Sequence, residues 1–249
     1  MKIKKIKFYD IDFHNLTNFN DLEIHFKRGI FACFPSGPGL ATLRNDHLYK
    51  KSLKNAEFNF FDSGLFVLLL RLFNFKVSKY SGFKFISEVL AYFKHENINN
   101  FFFVDPSLEI SKKNMNLLKK NFIRSKYPHY IAPTYNYSNP YDQELLNIIE
   151  KNKPNFVIIN IGGNIQEKLG LWLKNNSSYS FNIICTGAAV SFLTKSQAPI
   201  NNFIDKYYIG WFTRCIYDPK TFILRYIKAF KFIYFFLKNH KSIKIFYEN

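Results

Sequence analysis

Six short apolar runs, most of them followed by a longer amphipathic stretch, constrain this chain more than any other feature. The runs fall at 30–34, 57–61, 100–104, 129–133, 155–161 and 181–185. Helix-like segments lie at 39–54, 64–74, 83–95, 109–121, 141–152, 165–175 and 202–212. The FFFV of NFFFV and the FVII of NFVIINI are apolar without a break, as strands buried on both faces are. Strands separated in this way by helices are βαβ units. The spacing therefore predicts an α/β fold, a Rossmann-like and mostly parallel sheet flanked by helices. Residues 1–28 differ: IKFYDIDF and then DLEIHF alternate apolar and polar positions around Asn15–Asn20, which predicts an N-terminal β-hairpin.

Such a sheet needs a full core, and 47% hydrophobic residues supply one and exclude wholesale disorder. The net charge of +17 favours an anionic partner: nucleic acid, an anionic membrane surface or a phosphorylated substrate. Three widely separated cysteines, Cys33, Cys185 and Cys215, form neither a disulfide framework nor a zinc spacing, and suit a reducing cytoplasm. The basic start MKIKKIKFYDIDF lacks the apolar stretch of a secretory signal. No apolar run approaches the ~18–20 residues of a membrane span.

The C-terminal stretch stands apart and is expected to be a basic amphipathic appendage over 213–249, following a body over 1–212. In TFILRYIKAFKFIYFFLK (221–238), Arg225, Lys228, Lys231 and Lys238 share one arc of a helix at ~100° per residue, and Phe, Ile, Leu and Tyr fill the rest. A basic stripe beside an aromatic face suits a helix lying in an anionic membrane interface. A terminal helix packed on the core with a solvated basic face is the other reading.

In α/β sheets, ligands sit beyond the carboxyl ends of the strands. Four glycine-bearing loops follow the strands expected here: PSGPG (35–39), DSG (62–64), IGGN (161–164) and TGAA (186–189). Their backbone N–H groups can approach a phosphorylated ligand, although glycine also serves simply to make tight turns. Asp62, directly after a strand, is either a general base in the crevice or an N-cap for the helix near Gly64. Gln166 offers an amide that can read a sugar or uracil edge, while Glu167 complements a helix N-terminus. The six histidines show no paired metal spacing, so neither a histidine catalyst nor a metal site is expected.

These pieces, in this order, resemble the WecG/TagA/CpsF glycosyltransferases (glycosyltransferase family 26) over about Phe31 to Phe236. The carriers are NAEFNFFDSGLFVLL (55–69), YSGFKFISEVL (80–90), PNFVIINIGGNIQEKLGLWL (154–173) and the stretch 183–226. The resemblance implies a peripheral enzyme on the cytoplasmic face of the bacterial plasma membrane. It would be an inverting transferase moving a hexose or N-acetylhexosamine from a UDP-sugar to a polyprenyl-diphosphate-linked glycan. By the same resemblance Asp62 matches the proposed catalytic base. Donor binding falls to Ser36, Ser63, Gly64, Gly162, Gly163, Gln166, Glu167 and Gly187. Arg214, Arg225, Lys228 and Lys231 fall to the acceptor diphosphate and the membrane. Trp211 matches a family tryptophan. The scheme requires no metal and no cofactor beyond the donor.

The chain departs from the family pattern at four places around the donor pocket. The Asp-Gly pair is Asp62-Ser63-Gly64, Asn164-Ile165 precedes Gln166, Gly210 precedes Trp211, and Ser36 stands nearest to an early polar segment. Two other readings are a nucleic-acid-binding α/β protein and a non-catalytic membrane-bound partner. The first lacks any recognisable nucleic-acid module, and nucleic acid is not the expected partner. Self-association is left open.

Overall fold

The computed structural model describes residues 4–121, 129–194 and 210–247. The chain opens with a hairpin of β1 (Lys4–Phe8) and β2 (Ile11–Asn15), paired antiparallel with Phe8 opposite Ile11. The expected hairpin is present, but its turn is not at Asn15–Asn20. It is the two-residue turn Tyr9-Asp10, with φ of 52° and 63°. Two left-handed residues match the twist of the flanking strands. DLEIHF is not a strand either. It lies in helix α1 (Asn20–Phe26), because Leu22 and Phe26, four residues apart, share the buried face while Ile24 is exposed.

Six parallel strands form the main sheet among the described residues. They are β3 (Phe31–Cys33), β4 (Phe58–Asn59), β5 (Phe101–Asp105), β6 (His129–Ile131), β7 (Phe156–Ile159) and β8 (Asn182–Cys185), in the order β4-β3-β8-β7-β5-β6. Alternate side chains feed two cores. Phe31, Cys33, Phe102, Val104, Val157, Ile159, Ile183 and Cys185 belong to one. Ala32, Phe101, Phe103, Phe156, Ile158 and Ile184 belong to the other. Burial on both faces explains the unbroken apolar runs.

The first core lies under α3 (His47–Asn55), α4 (Gly64–Leu72), α7 (Gln143–Asn152) and α8 (Ile165–Asn176). The second lies under α1, α5 (Gly82–His95), α6 (Leu108–Asn121) and the short α9 (Ala189–Leu193). The segment 39–54, expected as one helix, is two: α2 (Gly37–Leu40) and α3. Asp46 stops any continuation by capping α3, its carboxylate accepting the Tyr49 N–H at 3.0 Å. The helix expected at 202–212 lies outside the described residues up to 209. From Gly210 the chain forms α10 (Gly210–Tyr217), then the long α11 (Pro219–Asn239).

Over residues 213–247 the C-terminal stretch packs against the body. Phe232 and Phe236 of α11 are fully buried, with ring centroids 6.0 and 5.6 Å from Phe8, and Phe232 lies 5.3 Å from Phe66. After α11, β9 (Lys244–Tyr247) joins the hairpin as a third antiparallel strand, Lys4 opposite Tyr247. The opposite side of α11 stays bare: Ile223, Leu224, Ile227, Phe230, Tyr234 and Leu237 are all exposed. The helix is therefore core-packed on one side and apolar on the other. Among the described residues, no helix is long and apolar enough to cross a membrane.

Candidate active site

The crevice opens where neighbouring strands β3 and β8 send their loops to opposite faces of the sheet. The loop after β3 leads to α2 and α3 on one face, and that after β8 leads to α9 on the other. A ligand cavity is expected at such a point. A cavity of about 320 Å³ sits there, lined by Ser36 after β3, Asp62 and Ser63 after β4, Ser81 at the start of α5, and Thr186 after β8. α10 and α11 close it from outside with Trp211, Arg214, Arg225 and Phe230.

The local structure removes one of the two readings of Asp62, the N-cap of α4. Ser63, not Asp62, caps α4, its hydroxyl accepting the Phe66 N–H at 3.3 Å. Ser36 caps α2 and Ser81 caps α5 in the same way. Asp62 lines the cavity. Its Oδ1 accepts the Gly82 N–H at 3.0 Å, and the Tyr80 N–H donates to the Phe61 carbonyl at 3.0 Å, so the two segments are tied at adjacent points. Gly82 also lets the start of α5 sit close to the loop after β8. A Cβ there would lie 3.3 Å from the Thr186 carbonyl oxygen and 3.4 Å from its Cβ.

Two arginines face Asp62 across the cavity. Arg214 donates to the Tyr226 hydroxyl at 3.3 Å and lies 4.7 Å from the Phe192 ring centroid. Among the described residues its Nε is buried without a partner. Arg225 is half-buried. That burial lowers its pKa, and the neighbouring positive charge of Arg214 lowers it further. Among the described residues no carboxylate forms an ion pair with either guanidinium. Two half-buried guanidiniums with no ion-paired carboxylate favour binding of an anion, and arginine's fork suits phosphate oxygens.

Arg225 also lines a second cavity, of about 690 Å³, together with Gly162, Gly163, Tyr137, Lys228 and Lys231. Tyr137 forms an exposed platform there. Lys168 lies under it, 3.8 Å from the ring centroid, and donates to the Tyr137 carbonyl at 2.9 Å. That lysine is almost fully buried and paired with Asp46 at 2.7 Å. The Tyr137 hydroxyl accepts from Asn164 Nδ2 at 3.0 Å, and the same amide donates to Thr42 at 2.7 Å. Asn164 adopts φ 70°, which turns the chain sharply out of the IGGN loop into α8.

Gln166 and Glu167 lie beneath the rim, 2% and 1% exposed. The Gln166 amide is fully engaged within the protein. Its Oε1 accepts the Gly187 N–H at 2.8 Å, while Nε2 donates to Glu167 at 3.1 Å and to the Cys185 carbonyl at 3.3 Å. Gly187, at φ 61°, needs its lack of a side chain to make this turn. Burial raises the Glu167 carboxyl to about 7, and its Oε2 has no partner.

Asp62, Ser36, Ser63, Gly64, Arg214 and Arg225 thus meet in one cavity. Gly162, Gly163, Lys228 and Lys231 meet in the next, and Arg225 is common to both. Gln166, Glu167 and Gly187 support the floor. Tyr137, Lys168, Asn164 and Thr42 were not anticipated from sequence. Tyr137 lies in a polar Tyr- and Asn-rich stretch without periodicity, and only the pairing of Lys168 with Asp46 across the fold reveals its place.

A family model described as the glycosyl transferase WecG/TagA/CpsF family matches residues 1–244. No individual curated protein matches the chain.

Proposed function

The chain belongs to the WecG/TagA/CpsF family of glycosyltransferases, which act in cell-surface polysaccharide synthesis, and we propose that it is an inverting transferase. The donor is a UDP-sugar carrying a hexose or N-acetylhexosamine, and the acceptor is a polyprenyl-diphosphate-linked glycan. The observation that carries this reading is the shared wall: one cavity holds a fixed carboxylate, its neighbour holds an aromatic platform, and the half-buried Arg225 lines both.

The donor fits across that wall. The base stacks on Tyr137, and the diphosphate lies along the Gly162-Gly163 amides and Arg225. The sugar then reaches the serine-lined floor by Ser36 and Ser63. Asp62 accepts the proton of the acceptor hydroxyl as that oxygen attacks the anomeric carbon from the opposite side. The bond from the anomeric carbon to the phosphate oxygen breaks, and UDP leaves with the bonding electron pair. Arg225 stabilises the departing diphosphate, and Arg214 with the nearby lysines neutralises the acceptor diphosphate. This charge does the work otherwise given to a divalent ion, so the scheme runs without metal. Gln166 and Glu167 act indirectly by holding the Gly187 turn.

Leu68, Phe83, Trp211 and Phe230 give the Asp62 cavity an apolar mouth, which suits entry of a lipid-linked acceptor. The bare side of α11 suits docking at the cytoplasmic face of the plasma membrane.

Thermal unfolding with UDP, UDP-N-acetylglucosamine, UDP-N-acetylmannosamine and UDP-glucose tests the donor class. UDP at ~100 times its dissociation constant adds about 2.7 kcal/mol of stability. The shift is expected for UDP and one UDP-sugar, and Tyr137→Ala should weaken UDP binding by about 5- to 100-fold through lost stacking. No shift with any of the four in folded protein would overturn the donor assignment.

A further inference from the structure

The trough along α11 continues past the Gly162 cavity. A third cavity, of about 490 Å³, adjoins it through the shared residues Ala41, Asn45 and Lys231. Its walls come from the hairpin turn, the link between α2 and α3, and α11. Tyr9 is pinned on two sides: Lys50 Nζ lies 3.7 Å from its ring centroid, and Phe235 meets it edge-on at 4.7 Å. Arg44, Lys231 and Lys238 surround this aromatic floor, and no acidic residue lines the cavity. Among the described residues none of these three cations has an ion-pair partner.

An uncompensated group of three cations around a formed cavity favours an anion, and its position on the helix narrows the choice. At ~100° per residue, Ile227, Phe230, Tyr234 and Leu237 form the exposed apolar stripe of α11, with Lys231 and Lys238 flanking it on the cavity side. A helix of this kind lies with its stripe at the headgroup and acyl boundary. That orientation sets the cavity at headgroup depth. Free phosphate would gain nothing from the adjoining stripe, whereas a phospholipid would contact both.

We propose that the cavity formed by Tyr9, Arg44, Lys231, Tyr234 and Lys238 binds the phosphodiester headgroup of an anionic phospholipid. The inference rests on the membrane-docking part of the function proposed above and adds a discrete lipid site to it. Such a lipid would hold α11, and with it Arg225, in a fixed position over the two reaction cavities. Docking would then orient the active site as well as recruit it.

The full-length chain is titrated with dihexanoyl-phosphatidylglycerol below its micelle concentration, with dihexanoyl-phosphatidylcholine and with inorganic phosphate, thermal unfolding being the readout. Phosphatidylglycerol alone is expected to raise the midpoint. The Arg44→Gln/Lys238→Gln pair should abolish that rise, while Lys220→Gln/Lys241→Gln, equal in charge but outside the cavity, should keep it. An undiminished UDP response in the first pair would show that it is folded. Equal loss in both pairs, or an equal rise with phosphate, would overturn the site. Flotation with phosphatidylglycerol vesicles separates the two claims. Intact flotation of wild type without a short-chain lipid response overturns the headgroup site alone. No flotation of wild type overturns the membrane reading beneath it.

Discussion

The two cavities on either side of Arg225 are built differently. The Asp62 cavity stands on helix starts: Ser36, Ser63 and Ser81 each cap a helix, and the sheet ends fix the residues between them. Its mouth is apolar. The Gly162 cavity stands instead on the buried Lys168–Asp46 pair, with the Tyr137 platform above it and Asn164 bonded to its hydroxyl. Rigid capped turns suit the placement of a reacting carboxylate, while an exposed ring with one fixed edge suits recognition of a flat ligand. In the proposed scheme the chemistry and the recognition are separated in space, and Arg225 borders both.

Asp62→Asn breaks that division most directly. Asparagine keeps an oxygen to accept the Gly82 N–H, so the fold and UDP binding should persist. Removing a positioned base should lower turnover by ~10²–10⁴-fold. Turnover within a few-fold of wild type, in a variant that still binds UDP, would remove Asp62 from the base role and leave the cavity as a binding site only.

The arginines sharpen the comparison at the next level. Arg225 lines both cavities and Arg214 only one. Arg225→Gln should therefore weaken both donor and acceptor, and Arg214→Gln the acceptor alone. Loss of a charge-assisted hydrogen bond costs ~1.5–3 kcal/mol, or about 10- to 150-fold. Steady-state KM values for each substrate give the readout, and a chelator added to wild type should leave both unchanged. Equal effects of the two substitutions on donor KM would contradict the shared-wall arrangement.

Much of this architecture was legible in the sequence because burial on both faces leaves continuous apolar runs. All six strands of the main sheet lie at those runs, and the four glycine loops follow four of them. The failures have local causes. The hairpin turn is Tyr9-Asp10, whereas the Asn-rich stretch nearby carries the commoner turn residues. DLEIHF satisfies both a two-residue and a four-residue period, and only packing of Leu22 with Phe26 decides between them. Asp62 was ambiguous because a carboxylate before a helix is a good cap, and the sequence does not say that Ser63 takes that place. In α11 the basic arc was visible, but its buried side was not, since Phe232 and Phe236 are as aromatic as the exposed Phe230. The pairing of β9 with β1 joins the two ends of the chain, a contact no local pattern encodes.

The smallest expected effect concerns the floor under both cavities. Glu167 has a carboxyl raised from 4.5 to about 7 by burial. Below pH 4.5 it is protonated in the folded and unfolded chain alike, so it adds no pH dependence there. Between 4.5 and 7 the unfolded chain ionises while the folded one stays protonated, which draws the equilibrium toward unfolding as pH rises. Above pH 7 the penalty is complete, at about 3 kcal/mol. Glu167→Gln removes the titration and keeps an oxygen to accept from Gln166. The variant should match wild type near pH 4 and exceed its stability by up to ~3 kcal/mol at pH 8, as read by urea unfolding across that range. Parallel curves would mean that Glu167 ionises near its ordinary 4.5 in the folded chain as in the unfolded one. The floor would then be a charged support rather than a neutral one, and the field reaching Arg225 from below would change accordingly.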